Sequence, residues 1–288
     1  MEEKVIGIIG GSGLYQMPEL ERIESRRLST PFGEPSAEYI SGWIGDTRVV
    51  FLSRHGPGHR FLPSEINYRA NIYGFRMLGV RHVVSISAVG SLREEIHPGD
   101  LVLADQFIDR TRLRPHTFYG NGAVIHVQFG DPVCNRLKNF LAESIQALGR
   151  ACHSRGTYVA IEGPAFSTRA ESNLYRSWGA DVIGMTALPE ARLAREAEIC
   201  YALLALCTDY DCWHEAEEEV SVETVLRVLN QNVATARKII GELARRFKPD
   251  GGCRCQHALD NTLLTDPAAV PEDTRLRIGL LAGRLFGR

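Results

Sequence analysis

Apolar positions along this 288-residue chain follow two periods, and the switches between them outline its elements. Val5–Ile9 is a short apolar run stopped by glycines, the pattern of a buried strand. Glu38–Trp43 and Arg48–Leu52, joined by Ile44-Gly45-Asp46-Thr47, read as a hairpin. Ser64–Leu78 is expected to be helical: Ser64 follows Pro63 as an N-cap, and Ile66, Ala70, Tyr73 and Met77 fall on one face. His82–Ser87 and Asp100–Leu103 read as strands. Pro132–Leu148 sets Val133, Leu137, Leu141, Ile145 and Leu148 at helical spacing. Strands are expected at Thr157–Ile161, Asp181–Ile183 and Cys200–Cys207, with helices near Arg169–Trp178 and Pro189–Ala197 between them. A long helix from about Val222 to Phe247 closes the main body.

Strands alternating with helices imply a mostly parallel sheet covered on both faces, and the hairpin adds an antiparallel part. The expected class is α/β: a single domain over residues 1–265, its central sheet mixed and mostly parallel, and a tail over 266–288. In the tail, Leu276, Leu280, Leu281 and Leu285 suggest a short helix that docks on the body or on a neighbouring subunit.

With 44% hydrophobic and 24% charged residues the chain can bury a full core, which excludes disordered, collagen-like and disulfide-scaffold classes. Lys and Arg number 33 against 35 Asp and Glu, so no basic excess exists to condense on a phosphate backbone. The start Met1-Glu2-Glu3-Lys4 is acidic where a signal peptide is basic, and no apolar run reaches membrane-span length. A cytoplasmic protein is expected, with neither nucleic acid nor membrane as partner. Seven cysteines, an odd number in a large chain, define no disulfide framework. Cys253 and Cys255 with His257 bring metal-ligand types together but lack the C-x₂-C spacing of structural zinc sites. They read as thiols or a disulfide on a C-terminal loop, and no metal is expected.

Candidate chemistry gathers just after the expected strands. Gly10-Gly11-Ser12-Gly13 could present amides and a hydroxyl to an anion, although it fits neither the dinucleotide nor the P-loop pattern. Arg54-His55 offers a phosphate-matched fork beside a titratable donor. Ser85-Ile86-Ser87-Ala88, Glu162-Gly163-Pro164-Ala165-Phe166-Ser167 and Gly184-Met185-Thr186 place small residues and hydroxyls at three further strand exits. Asp209 and Asp211, two apart in an extended stretch, can face one site, where mutual repulsion keeps a proton on one of them. In open α/β sheets ligands bind beyond the carboxyl ends of the strands. A phosphate corner, an apolar slot and an acid would therefore converge, as for a phosphate that attacks a centre whose leaving group needs a proton.

The segments Ile6–Leu14, Arg54-His55-Gly56, Asn67–Asn71, Gly90–Glu95, Asp105–Arg110, Ala170-Glu171-Ser172 and Thr208–Trp213 closely resemble the 5′-methylthioadenosine phosphorylases of the purine nucleoside phosphorylase superfamily, over roughly residues 4–265. The resemblance implies the nucleoside phosphorylase fold, a homotrimer, sometimes paired into a hexamer, and no metal or organic cofactor. It also implies a pentosyltransferase of purine and methionine salvage, which cleaves 5′-methylthioadenosine with phosphate as co-substrate. Adenine and 5-methylthioribose 1-phosphate are the products. Carried over residue by residue, phosphate binding falls on Ser12, Arg54, His55, Ser87, Ala88 through its backbone, and Thr186. The nucleoside contacts fall on Met185 (ribose), Phe166 and Ser167 (purine), Val222 and Val225 (methylthio wall), and His59 with His126 of a neighbouring subunit. Asp209 and Asp211 are the catalytic pair. The family's Glu-Gly-Pro-Arg-Phe reads Ala165 at the arginine here, and Cys134 and Cys200 stand where some thermophilic relatives have cysteines, with a disulfide open between them. The rivals are a methylthioinosine or general purine nucleoside phosphorylase and a non-catalytic nucleotide-binding module.

Overall fold

A computed structural model describes residues 3–11, 13–214, 222–249 and 252–287, the stretch 222–231 by its backbone alone. In chain order the elements are β1 (Val5–Gly10), β2 (Glu21–Arg26), β3 (Tyr39–Ile44), β4 (Thr47–Ser53), α1 (Tyr68–Met77), β5 (His82–Ser91), β6 (Leu101–Val102), β7 (Gln106–Asp109) and α2 (Asn135–Ala147). There follow β8 (Thr157–Ala160), α3 (Arg169–Ser177), β9 (Val182–Gly184), α4 (Ala187–Glu196), β10 (Cys200–Asp209), α5 (Val222–Arg246) and α6 (Glu272–Ala282).

One mixed sheet runs β2-β3-β4-β1-β5-β9-β8-β7, with β10 pairing both β5 and β6. The β1–β4, β1–β5, β5–β10, β7–β8 and β8–β9 pairs are parallel, and β3–β4 is the expected hairpin. β10 shows why its sequence is apolar without alternation. Tyr201, Leu203, Ala205 and Cys207 enter one core with residues of α1, α4 and α6, while Cys200, Ala202, Leu204 and Leu206 enter a second with α2 and α5. A strand covered on both faces needs apolar residues at every position.

Three expectations change. α1 begins at Tyr68, because the side chain of Asn67, and not Ser64, accepts from the Ala70 amide (3.1 Å) and caps the helix. Met77 lies 42% exposed, off the buried face formed by Ala70 and Tyr73. Strands β2 and β7 were not expected: Glu-Arg-Ile-Glu-Ser-Arg is exposed at all six positions and is held by pairing with β3, which no apolar pattern announces. In the tail, Ile278, Leu281 and Ala282 of α6 join the core that holds α1, whereas Leu276 and Leu280 face outward.

Candidate active site

Register brings the strand exits together. Gly10 pairs with Ser53, and the Arg54 amide then donates to the Gly10 carbonyl (2.9 Å), so the glycine loop and Arg54 leave the sheet side by side. Arg54 is 2% exposed, and its guanidinium is built into the protein. Nε donates to Glu190 (2.7 Å), Nη2 to Glu190 (3.1 Å) and Ser85 Oγ (2.7 Å), and Nη1 to the Ile86 carbonyl (3.0 Å). Burial works against this charge, but Glu190 more than offsets it and raises the guanidinium pKa. Tyr201 Oη donates to the same carboxylate (3.0 Å). Among the described residues Nη1 has that one acceptor, which leaves its second hydrogen for a ligand.

Ser87 and Thr186 meet next to it, with hydroxyls 3.2 Å apart. Thr186 holds the N-cap position of α4 without capping it through its side chain, so its hydroxyl is turned to Ser87 and not to the helix. The Ser87 hydroxyl also donates to the Ala88 carbonyl (3.1 Å). Two adjacent hydroxyls suit an oxyanion, although Leu188 (φ −120°, ψ 137°) interrupts the helix just beyond, so they act as side-chain donors and not with a helix N-terminus. Gly184 makes the approach feasible: a Cβ there would stand 2.0 Å from the Tyr158 hydroxyl, which accepts from the Thr186 amide.

His55 closes this corner. Nδ1 lies 2.9 Å from the Phe61 carbonyl and the ring stacks on His59 at 4.1 Å. Burial, then the nearby charges of Arg54 and the other basic groups, push its pKa down to about 4. The carbonyl requires a proton on Nδ1, so the neutral ring presents Nε2 as an acceptor. Because unfolded His55 takes up a proton near its ordinary pKa of about 6.5 and the folded residue does so only near 4, acid favours the unfolded chain across that window. Denaturant titrations at several pH values should show His55→Asn losing up to about 3 kcal/mol less stability than the parent as pH falls through it. Parallel pH profiles for the two proteins would count against the buried neutral imidazole.

The acid pair lies at the end of β10, with Asp209 its last residue. Asp209 pairs with Gly90 after a bulge, and a Cβ on Gly90 would reach within 2.9 Å of Asp209 Oδ1 and 3.3 Å of Asp211 Cβ. Asp209 accepts from Thr208 Oγ1 (2.7 Å) and the Asp211 amide (2.8 Å). Asp211 is the carboxyl raised in pKa, chiefly by burial and in smaller part by the charge of Asp209, while Ser172 opposes the rise. Its Oδ2 and the hydroxyls of Ser167 and Ser172 are buried without a hydrogen-bond partner among the described residues, with Ser172 close enough to Asp211 to lower its pKa. The Cys212 thiol donates to the Ser167 carbonyl (3.2 Å), joining the Phe166 loop to the acid pair, and Phe166 is 51% exposed. Met185 lies against Gly163, whose φ of +69° and missing Cβ admit its sulfur.

His59 is exposed beside His55, and His126 is exposed on a segment whose backbone donates to the Thr262 carbonyl (3.1 Å). Ser12 and the side chains of Val222 and Val225 lie outside the described residues. Sequence reasoning missed Glu190, Tyr201 and Arg114. Arg114, 4% exposed, donates to the Met185, Leu188 and Glu162 carbonyls (2.5, 2.7 and 2.7 Å), which ties the segments that follow β8 and β9 together. A carboxylate inside the otherwise apolar Ala187–Ala191 stretch was the available signal for Glu190; nothing marked Arg114.

A model of the phosphorylase superfamily matches residues 5–245. The chain is 56% identical to an S-methyl-5′-thioadenosine phosphorylase of Geobacter sulfurreducens over 98% of its own length and 99% of the relative's, and 50% identical to that of Koribacter versatilis over 98% and 97%. Among solved structures it is similar to a methylthioadenosine phosphorylase from an antarctic soil metagenomic library, with TM-score 0.91, 46% identity and coverage of 97% and 99%. It is also similar to the methylthioadenosine phosphorylase of Schistosoma mansoni in complex with adenine, with TM-score 0.85, 36% identity and coverage of 90% and 99%.

Proposed function

The chain belongs to the phosphorylase superfamily, and from that premise we propose its reaction: phosphate-dependent cleavage of S-methyl-5′-thioadenosine to adenine and 5-methylthioribose 1-phosphate. The observation that carries this reading is the placement, at the carboxyl ends of the strands of one sheet, of a pair of meeting hydroxyls beside Arg54 and of a carboxyl pair held together at Gly90. Phosphate held by Arg54 Nη1, Ser87 and Thr186, with His55 Nε2 accepting from its remaining P–OH, would lie under the ribose, with Ser12 and the Ala88 backbone completing the set. As the C1′–N9 bond lengthens, positive charge grows on the sugar, and the fixed anion stabilises it before its oxygen bonds C1′.

Adenine departs poorly as an anion, and a proton delivered to N7 gives neutral adenine. Burial, and in smaller part the charge of Asp209, raises the Asp211 carboxyl pKa and so favours its protonated form beside Asp209. Asp209 is the group assigned to N7. The 6-amino group is a donor and is matched by a carboxylate oxygen, which favours 6-aminopurines over 6-oxopurines. Phe166 and Ser167 would flank the base, Met185 the ribose, and Val222 and Val225 the methylthio group. His59 and the exposed His126 of a neighbouring copy would close that end, which makes a homotrimer, single or paired, the working assembly. No resident cofactor enters the scheme. No helix among the described residues is long and apolar enough to cross a membrane, and cytoplasmic residence is part of the same proposal.

Chromatography of products from methylthioadenosine, adenosine and methylthioinosine, each with and without phosphate, tests the assignment. Adenine from methylthioadenosine only in the presence of phosphate is the expected result. Hypoxanthine from methylthioinosine with little adenine would transfer the reading to a 6-oxopurine enzyme. Binding without turnover would leave only a nucleotide-binding module.

A further inference from the structure

Four cysteines that the sequence scatters come together at the end of β10 remote from the aspartates. Cys134 is the N-cap of α2, Cys200 opens β10, and Cys253 and Cys255 lie in the turn that follows α5. Their four sulfurs all lie within 4.8 Å of one another, all four residues are buried, and the Cys134 and Cys253 sulfurs are 3.6 Å apart. Hydrogen bonding fixes this geometry: the Cys134 amide donates to the Tyr201 carbonyl (2.8 Å), which clamps the loop before α2 onto the start of β10. The Gln256 amide donates to the Cys253 carbonyl (2.9 Å), which folds the C-x-C turn so that both thiols reach inward.

Four sulfurs placed tetrahedrally around zinc, each about 2.3 Å from the ion, would stand about 3.8 Å from one another. A disulfide instead needs a pair about 2.05 Å apart, and none of the seven cysteines is so joined. We propose that Cys134, Cys200, Cys253 and Cys255 hold one zinc ion in a closed, structural tetrathiolate site. Binding replaces four thiol protons with the divalent cation and leaves a net double negative charge on the cluster. The N-terminal amides of α2, next to Cys134, oppose that charge, and the Cys134 sulfur caps none of them and so is turned to the cluster.

The donor set explains the choice of metal: four thiolates on a tetrahedron select zinc over magnesium, calcium or manganese, which prefer oxygen. It also explains the role. A four-cysteine shell leaves no open position for substrate, and the ten residues of β10 put about 30 Å of strand between Cys200 and Asp209. The ion instead joins three segments distant in sequence, and so fastens the C-terminal turn to the core of α2, α5 and β10. From sequence alone, Cys253 and Cys255 read as thiols or a disulfide on a C-terminal loop, and no metal was expected. The fold supplies the two missing ligands.

The test is metal analysis and X-ray absorption of the full-length protein produced with zinc in the medium, together with intact mass after denaturation. About one zinc per chain with an all-sulfur shell near 2.3 Å is expected. Cys253→Ser and Cys255→Ser should each lower zinc content at least about tenfold, and Cys152→Ser, outside the cluster, should leave it unchanged. A metal-free chain about 4 Da lighter than its reduced form would assign the sulfurs to two disulfides and overturn the proposal. So would a fully reduced chain that takes up no added zinc, or one that holds iron or copper in its place.

Discussion

Asp209→Asn is expected to lower kcat for methylthioadenosine by about 10²- to 10³-fold and to shift preference toward methylthioinosine. The substitution preserves shape. An amide oxygen at 209 can still accept from Thr208 or from the Asp211 amide, the two donors that hold the native carboxylate at 2.7 and 2.8 Å. It removes the group proposed to pass a proton to N7, and it would put an N–H where the 6-amino group of adenine needs an acceptor. The 6-oxo group of hypoxanthine accepts from that same N–H, so the ratio of kcat/KM values for the two nucleosides should move toward the oxopurine. Thermal unfolding separates this effect from loss of fold, because Asp209 is only half-buried and its replacement is nearly isosteric. An unchanged substrate ratio in a folded, slow variant would remove Asp209 from base recognition. Unchanged turnover would remove it from catalysis.

The reason Asp209 was legible, while much of its support was not, lies in the range of the forces involved. β1 and β10 are announced by continuous apolar runs because both faces of each strand are covered, and burial is a property each residue carries alone. Any hydroxyl or acid that follows such a run falls at the ligand-binding edge of the sheet, which places Ser87, Thr186, Asp209 and Asp211 in outline. β2 is the opposite case: six exposed residues owe their conformation to pairing with β3, and pairing is invisible until both partners are placed. The start of α1 was misplaced by competition between two good caps, which Asn67 wins because its amide group also donates to the Phe32 carbonyl (2.8 Å).

Long-range polar pairing is the least legible of all. Arg54 and Glu190 are 136 positions apart, and Cys134 and Cys253 are 119 apart. Local sequence recorded only that each residue was unusual where it stood: a carboxylate in an apolar stretch, a thiol ahead of a helix. The Arg54 side chain illustrates the consequence. As a sequence motif it suggests a cation for phosphate, whereas in the fold its charge is matched by Glu190 and what it offers a ligand is one aimed N–H. The proposed anion site would thus rely on oriented donors more than on net positive charge.

Glu190→Gln tests that reading, and the expected result is a loss of about 3–5 kcal/mol of stability together with a KM for phosphate raised far more than the KM for nucleoside. Glu190 is fully buried, and its two oxygens fix both Nε and Nη2 of Arg54 while also accepting from Tyr201. A glutamine keeps the volume but removes the charge, so a guanidinium 2% exposed is left without its counter-ion. Its Nε2 amide end would also face donors where the carboxylate faced them as an acceptor. The fork must then turn to recover acceptors, and Nη1 swings away from the phosphate position. The nucleoside, which the proposal places at the aspartates and the Phe166 loop, would feel this only through the missing co-substrate. Denaturant titration and separate saturation curves for the two substrates measure both halves. Equal rises in the two KM values would mean that the pair supports the whole site and does not aim Arg54. Unchanged stability would mean that the buried charge finds another partner.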